Sequence, residues 1–156
     1  MSRSGYSEDC DYLHLYRANV ERSLGSKRGQ AFLREMATAL DSLPVKELVD
    51  GDLVRDDGAC CALGSVAIAR KMNVADIDEC EPDDVADAFG IARVMACEIA
   101  YENDESGPSL VEVEGPIPPW VDWQSKIFQR RDETPAERWK RMRQWVASQL
   151  GQETTP

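Results

Sequence analysis

The stretch Cys61-Ala62-Leu63-Gly64-Ser65-Val66-Ala67-Ile68-Ala69 carries no charge, and Arg70 is the first charged residue to end it. Its side chains are small, and Gly64 and the alanines let other backbones come close. A helix that is apolar on every side is one that neighbours surround. The stretch is therefore read as the central core helix, and the flanking segments as the elements that cover it.

Toward the C-terminus, Thr134-Pro135-Ala136-Glu137 combines an N-cap hydroxyl, a proline at the first helical position and a glutamate three residues after the cap. Together these make a capping box. Trp139, Met142, Trp145, Val146 and Leu150 follow at helical spacing, which predicts a helix over 135–150. Its other face holds Arg138, Lys140, Arg141 and Arg143 and reads as a solvated face.

Toward the N-terminus, Leu13, Tyr16, Val20 and Leu24 predict a helix over 8–24 that Gly25 stops. Phe32, Met36, Leu40 and Leu43 predict another over 28–42, ended before Pro44. The short link between them favours an antiparallel pair. Between 47 and 60, Asp50-Gly51-Asp52 and Asp57-Gly58 interrupt short apolar runs and predict a small β-hairpin or an irregular loop. Beyond the core helix, Pro82 opens a short turn over 82–88 and Gly90 breaks it. Ile91, Val94, Met95 and Ile99 then mark a helix over 91–103. From 104 to 133 Pro108, Pro116, Pro118 and Pro119 preclude a continuous helix, with Trp120, Trp123 and Phe128 as apolar anchors. The expectation is a mainly α fold: one compact domain of five to six helices over 1–150, an inserted loop near 106–131, and a disordered tail over 151–156.

At 156 residues the chain suits one domain with a single core. A net charge of −11 argues against unaided binding to nucleic acid or an anionic membrane. No apolar run reaches the roughly 18–20 residues of a bilayer span. Glu8, Asp9 and Asp11 do not fit a secretory signal. The five cysteines follow no regular spacing and read as reduced thiols, so a cytoplasmic location is expected.

Charge is unevenly spread. Residues 73–114 hold thirteen Asp and Glu against one basic residue, Arg93. Asp76, Asp78, Glu79, Glu81, Asp83, Asp84 and Asp87 form the densest part. Such a patch attracts basic partners. By contrast, Arg17, Arg22, Lys27, Arg28 and Arg34 share 17–34 with a single acid, Glu21. Lys27 and Arg28 at a helix start are candidates for holding an anion, without the glycine spacing of a phosphate loop.

Enzyme chemistry has weaker support. Glu98 and Glu102 lie one helical turn apart, with Asp104 just beyond, and could hold Mg²⁺ as in all-helical nucleotide pyrophosphohydrolases. Those enzymes need a second acidic pair later in the chain, and here Glu81, Asp83 and Asp84 come first. Glu98 adjoins the apolar stripe and would need a partner if half-buried. Cys10 and His14 are too few for a structural zinc site. Cys61 at a helix start would gain a lowered pKa, with His14 as the sole imidazole.

The chain resembles a family of short proteins encoded in bacteriophages and prophages. The strings that carry the likeness are SGYSEDCD at 4–11, KRGQAFLREM at 27–36, CALGSVAIAR at 61–70, AFGIARVMACEI at 88–99, YENDE at 101–105 and ETPAERWKRMRQWV at 133–146. The resemblance implies a mostly helical accessory protein and brings no catalytic residue with it. It departs near 106–131, where relatives run more directly into the last helix.

The resulting expectation is a non-enzymatic phage accessory protein without cofactor or membrane, acting by protein–protein binding in the bacterial cytoplasm, with homo-oligomerisation left open. Its partner would be a host protein or complex with a basic surface, in an anti-CRISPR-like counter-defence role, with Trp120 and Trp123 as apolar anchors beside the acids. Two rivals stand beside it: a metal-dependent nucleotide hydrolase using Glu98, Glu102 and Asp104, and a nucleic-acid-binding regulator using Arg17, Arg22, Lys27, Arg28 and the last helix.

Overall fold

The computed structural model describes residues 3–4, 13–107, 110–112 and 128–151. These form six helices and one pair of short strands. The helices are α1 (Leu13–Gly25), α2 (Lys27–Ser42), α3 (Ala62–Arg70), α4 (Pro82–Phe89), α5 (Arg93–Asp104) and α6 (Pro135–Gln149). Strands β1 (Leu110–Glu112) and β2 (Phe128–Arg130) lie between α5 and α6. The fold is mainly α, as the apolar periodicities predict.

Two helices organise the bundle. α2 packs against α1, α3 and α6, and α5 packs against α1, α3, α4 and α6. α3 is held between the two, and its residues Ala62 to Ala67 are all buried. The surrounded character read from its sequence ends there, because Ile68 and Arg70 emerge into solvent. Gly64 explains the close fit: a Cβ at that position would lie 1.7 Å from the Leu53 carbonyl oxygen. Around α3 the core gathers Leu33, Met36 and Leu40 of α2, Met95 and Ile99 of α5, and Met142 and Val146 of α6.

Local signals place the helix ends. The Ser26 hydroxyl caps α2 by accepting from the Gly29 amide at 2.9 Å. At α6 both halves of the capping box form, between Thr134 and Glu137. Gly90 ends α4 in the left-handed conformation at φ 69°, which a glycine adopts without steric cost.

Of the two readings of 47–60, the irregular loop holds: no strand pair forms there, and one antiparallel bridge joins Val54 to Cys60. Its backbone groups are used otherwise, because Leu53 donates to a Glu79 carboxylate and accepts from the Cys61 amide. Leu48 and Leu53 are both buried, so the segment acts as an irregular strap across the core. A correction falls on 104–133, where the sequence predicts only a loop. Leu110, Val111 and Glu112 pair antiparallel with Arg130, Gln129 and Phe128. Trp120, Trp123, the tail beyond Gly151 and the expected start of the first helix at 8–12 lie outside the described residues.

Candidate functional site

The acidic segment forms an exposed ridge on the α3–α4 connection and α4. Asp76, Asp78, Glu81, Asp83, Asp84 and Asp87 are all exposed. α4 fixes its orientation by burying Pro82, Val85, Ala86 and Phe89, so Asp83, Asp84 and Asp87 face water. Phe89 meets Phe32 of α2 edge to face, with ring centres 6.3 Å apart. Asp83 and Asp84 stand in the first turn of α4, where the helix dipole favours negative charge. One cation answers the ridge directly: Arg93 lies 3.2 Å from Asp83, and both side chains are more than half exposed. Glu79 does not belong to this face. It is half-buried, accepts from the Leu53 amide at 2.6 Å and lies 4.0 Å from Arg3.

The three carboxylates considered for metal binding each have a different partner. Glu98 is 1% exposed and accepts from Arg17 at 2.9 and 3.0 Å. Glu102 accepts from the Ser106 hydroxyl at 2.6 Å. Asp104 takes two hydrogen bonds of 2.9 Å from Arg3 and another from Asn103. Among the described residues, no three His, Cys, Asp or Glu side chains converge as a metal ion needs. Glu98 is thus a buried ion-pair partner, which answers the need for one read from its place beside the apolar stripe.

The basic face of α6 is not the solvated face its sequence suggested. Arg138 is buried and donates to the Leu48 carbonyl at 3.1 Å while lying 3.4 Å from Glu133. Arg141 forms a two-point pair with Glu133 at 2.6 and 2.8 Å. The same guanidinium donates to the carbonyls of Glu102 and Asn103, a cation at the carbonyl end of α5. Arg143 makes a two-point pair with Asp41 at 2.8 and 3.0 Å. Only Lys140 of the four is fully exposed.

Sequence reasoning missed two buried amides that join distant elements. Gln30 donates to the carbonyls of Leu24 and Gln149 and accepts from the Gly151 amide, tying the ends of α1 and α6 to α2. Asn103 accepts from the Ala62 amide at 3.0 Å and donates to the Val49 carbonyl at 2.9 Å. No local signal marks either residue, because each contact spans elements remote in sequence.

Cys61 is the N-cap of α3, and the Gly64 amide donates to its sulfur. Its thiol is nevertheless not activated. Burial pushes its pKa up, against the opposing pull of Arg3 and the Gly64 amide. Burial likewise raises the Cys60 thiol to about 12. Desolvation outweighs the helix terminus, which corrects the lowered value expected from sequence.

Lys27 and Arg28 separate in function. Lys27 is exposed and is not among the residues of the cleft of about 520 Å³ between α1, α2 and the start of α5, which Arg28 lines. Arg22 joins it there from α1. The Ser26 hydroxyl already occupies the Gly29 amide, so positive charge in the cleft comes from side chains more than from the helix end. Among the described residues no helix is long and apolar enough to cross a membrane. No family model, no curated protein and no solved structure matches this chain.

Proposed function

We propose that this protein works by binding a basic protein surface through the ridge of Asp76, Asp78, Glu81, Asp83, Asp84 and Asp87. The observation that carries the reading is that α4 is anchored by a buried apolar face while its acids remain in water with little internal neutralisation. Elsewhere, carboxylates with largely buried side chains are matched by arginines: Glu98 with Arg17, Asp104 with Arg3, Glu133 with Arg141. The ridge acids stand outside this pattern, with Arg93 the one described cation paired to them. A rigid row of carboxylates mimics the charge of a phosphate backbone, and its field raises the association rate more than each pair raises affinity. Resemblance to phage and prophage accessory proteins supplies the setting: a host complex whose basic channel receives nucleic acid, with inhibition of that complex as the result.

The experiment uses a triple variant, Asp76→Lys, Asp84→Asn and Asp87→Lys. Lysine near the end of α4 suits the helix dipole, so the variant is expected to stay folded. Wild-type protein immobilised in a bacterial lysate should retain a nucleic-acid-binding protein, and duplex DNA or RNA should displace it. The variant should bind about tenfold more weakly, since each exposed ion pair contributes about 0.5 kcal/mol and three are altered. A folded variant that captures the same protein with unchanged affinity and salt dependence would refute the reading.

A further inference from the structure

The cleft between α1, α2 and α5 differs in charge from the rest of the molecule. Its volume of about 520 Å³ suits a small ligand. Ile91, Val94 and Met95 give it an apolar floor, Arg22 and Arg28 stand at its rim, and none of its described lining residues is acidic. In a chain of net charge −11 such a lining, with two arginines, is a local inversion of sign. The arginines are also set apart by what they do not touch. Arg3, Arg17, Arg70, Arg138, Arg141 and Arg143 each lie within salt-bridge distance of a carboxylate. Arg22 and Arg28 ion-pair with no described residue. Among the described residues Arg28 makes one hydrogen bond, from its Nε to the carbonyl of Gly90, which directly precedes the lining residue Ile91, at 2.7 Å. Gly29 lets the walls meet, since a Cβ there would lie 2.1 Å from the Ser23 carbonyl oxygen.

We infer that this cleft binds a small amphiphilic anion, its charged head between Arg22 and Arg28 and its apolar body on Ile91, Val94 and Met95. A guanidinium recognises carboxylate and phosphate by the same two-point geometry, so the shared chemistry is an oxyanion on a short apolar chain. The site is independent of the acidic ridge, which lies on α4 and the segment before it.

Amide NMR titration tests it with octyl phosphate and octanoate below their micelle-forming concentrations. Saturable shifts are expected at Ser23, Gly29, Ala92 and Val94, and the tighter of the two probes identifies the headgroup as phosphate or carboxylate. Inorganic phosphate and octyltrimethylammonium should give no saturable shift there, since each lacks one half of the match. Arg22→Gln should weaken binding by at least about tenfold, the loss of one charge-assisted contact. Ala92→Asp, which places a carboxylate at the mouth, should abolish it without unfolding the chain. Absence of saturation with both anions, equal binding of the ammonium probe, or unchanged affinity in both variants would overturn the inference. So would concentration-dependent shifts of the same amides without ligand, which would assign the cleft to the acidic ridge of a second copy.

Discussion

A Cβ on Gly64 would sit 1.7 Å from the Leu53 carbonyl oxygen and 2.9 Å from the Cys60 Cβ. The first obstacle is backbone, held in place because the same carbonyl accepts from the Cys61 amide at 3.1 Å. Gly64→Ala should therefore destabilise the protein by about 3 kcal/mol, despite the roughly 1 kcal/mol that alanine gains over glycine inside a helix. Gly51→Ala is the control. It has positive φ but nothing within 4 Å of the added carbon, so its cost should stay near 1 kcal/mol, from backbone strain alone. Urea unfolding of the two variants should separate them clearly, and equal losses would show that the strap can move away from α3. The same scale explains the inert thiols. Cys61 has the helix-start position that lowers a thiol pKa, but its burial dominates.

Helix ends are where local chemistry decides stability at the next scale. At α6, Arg131 and the Thr134 amide both donate to Glu137 and draw its carboxyl from an ordinary 4.5 down to about 2. The folded value lies below the unfolded one. The stabilisation is thus fully present above about 4.5 and is lost as the pH falls through about 2. A side-chain NMR titration should show this low midpoint, and Glu137→Gln should remove the matching part of the acid dependence of unfolding. A midpoint near 4.5 would mean the capping box is open in solution. α5 presents the opposite case. Its N-cap, Ala92, has the extended backbone of a capping residue at φ −73° and ψ 144° but no side chain able to accept. Ala92→Asp should stabilise the protein by about 1 kcal/mol through a new cap, measured as a higher melting temperature. Stabilisation joined to loss of amphiphile binding would separate the fold from the cleft, because one substitution moves the two readouts in opposite directions.

Across the whole molecule, the described core draws on α1 to α6 and the strap between α2 and α3. β1 and β2 bring Glu112 and Phe128 into register, so a two-residue Asn-Gly turn can replace residues 113–127. The shortened chain should retain a single cooperative thermal transition, and a broad, non-cooperative melt would show that the removed segment contributes to the core. Comparison of the two routes to the fold shows what each one fixes. Helix positions were largely legible in the sequence because caps, breakers and apolar spacing act within one or two turns: Thr134 with Glu137 for α6, and the spacing of Phe32, Met36 and Leu40 for α2. The stretch after Pro82, read as a short turn over 82–88, is instead the eight-residue helix α4. The acidic ridge was legible too, since a charge-dense segment with few apolar positions must leave most of its acids in water. What the charges pair with was not. Arg138 and Arg141 read as a solvated stripe, yet they turn inward to Glu133, Leu48 and the end of α5. Arg28 read with Lys27 as one basic link, yet it lines a cleft with Arg22 and with residues of α5 more than sixty positions away. By itself the sequence determined most of the helices, the net charge and the ridge, all of which depend on neighbours along the chain. Only the tertiary structure decided which charges are neutralised and where a cavity opens, because Coulomb attraction and shape depend on distance in space.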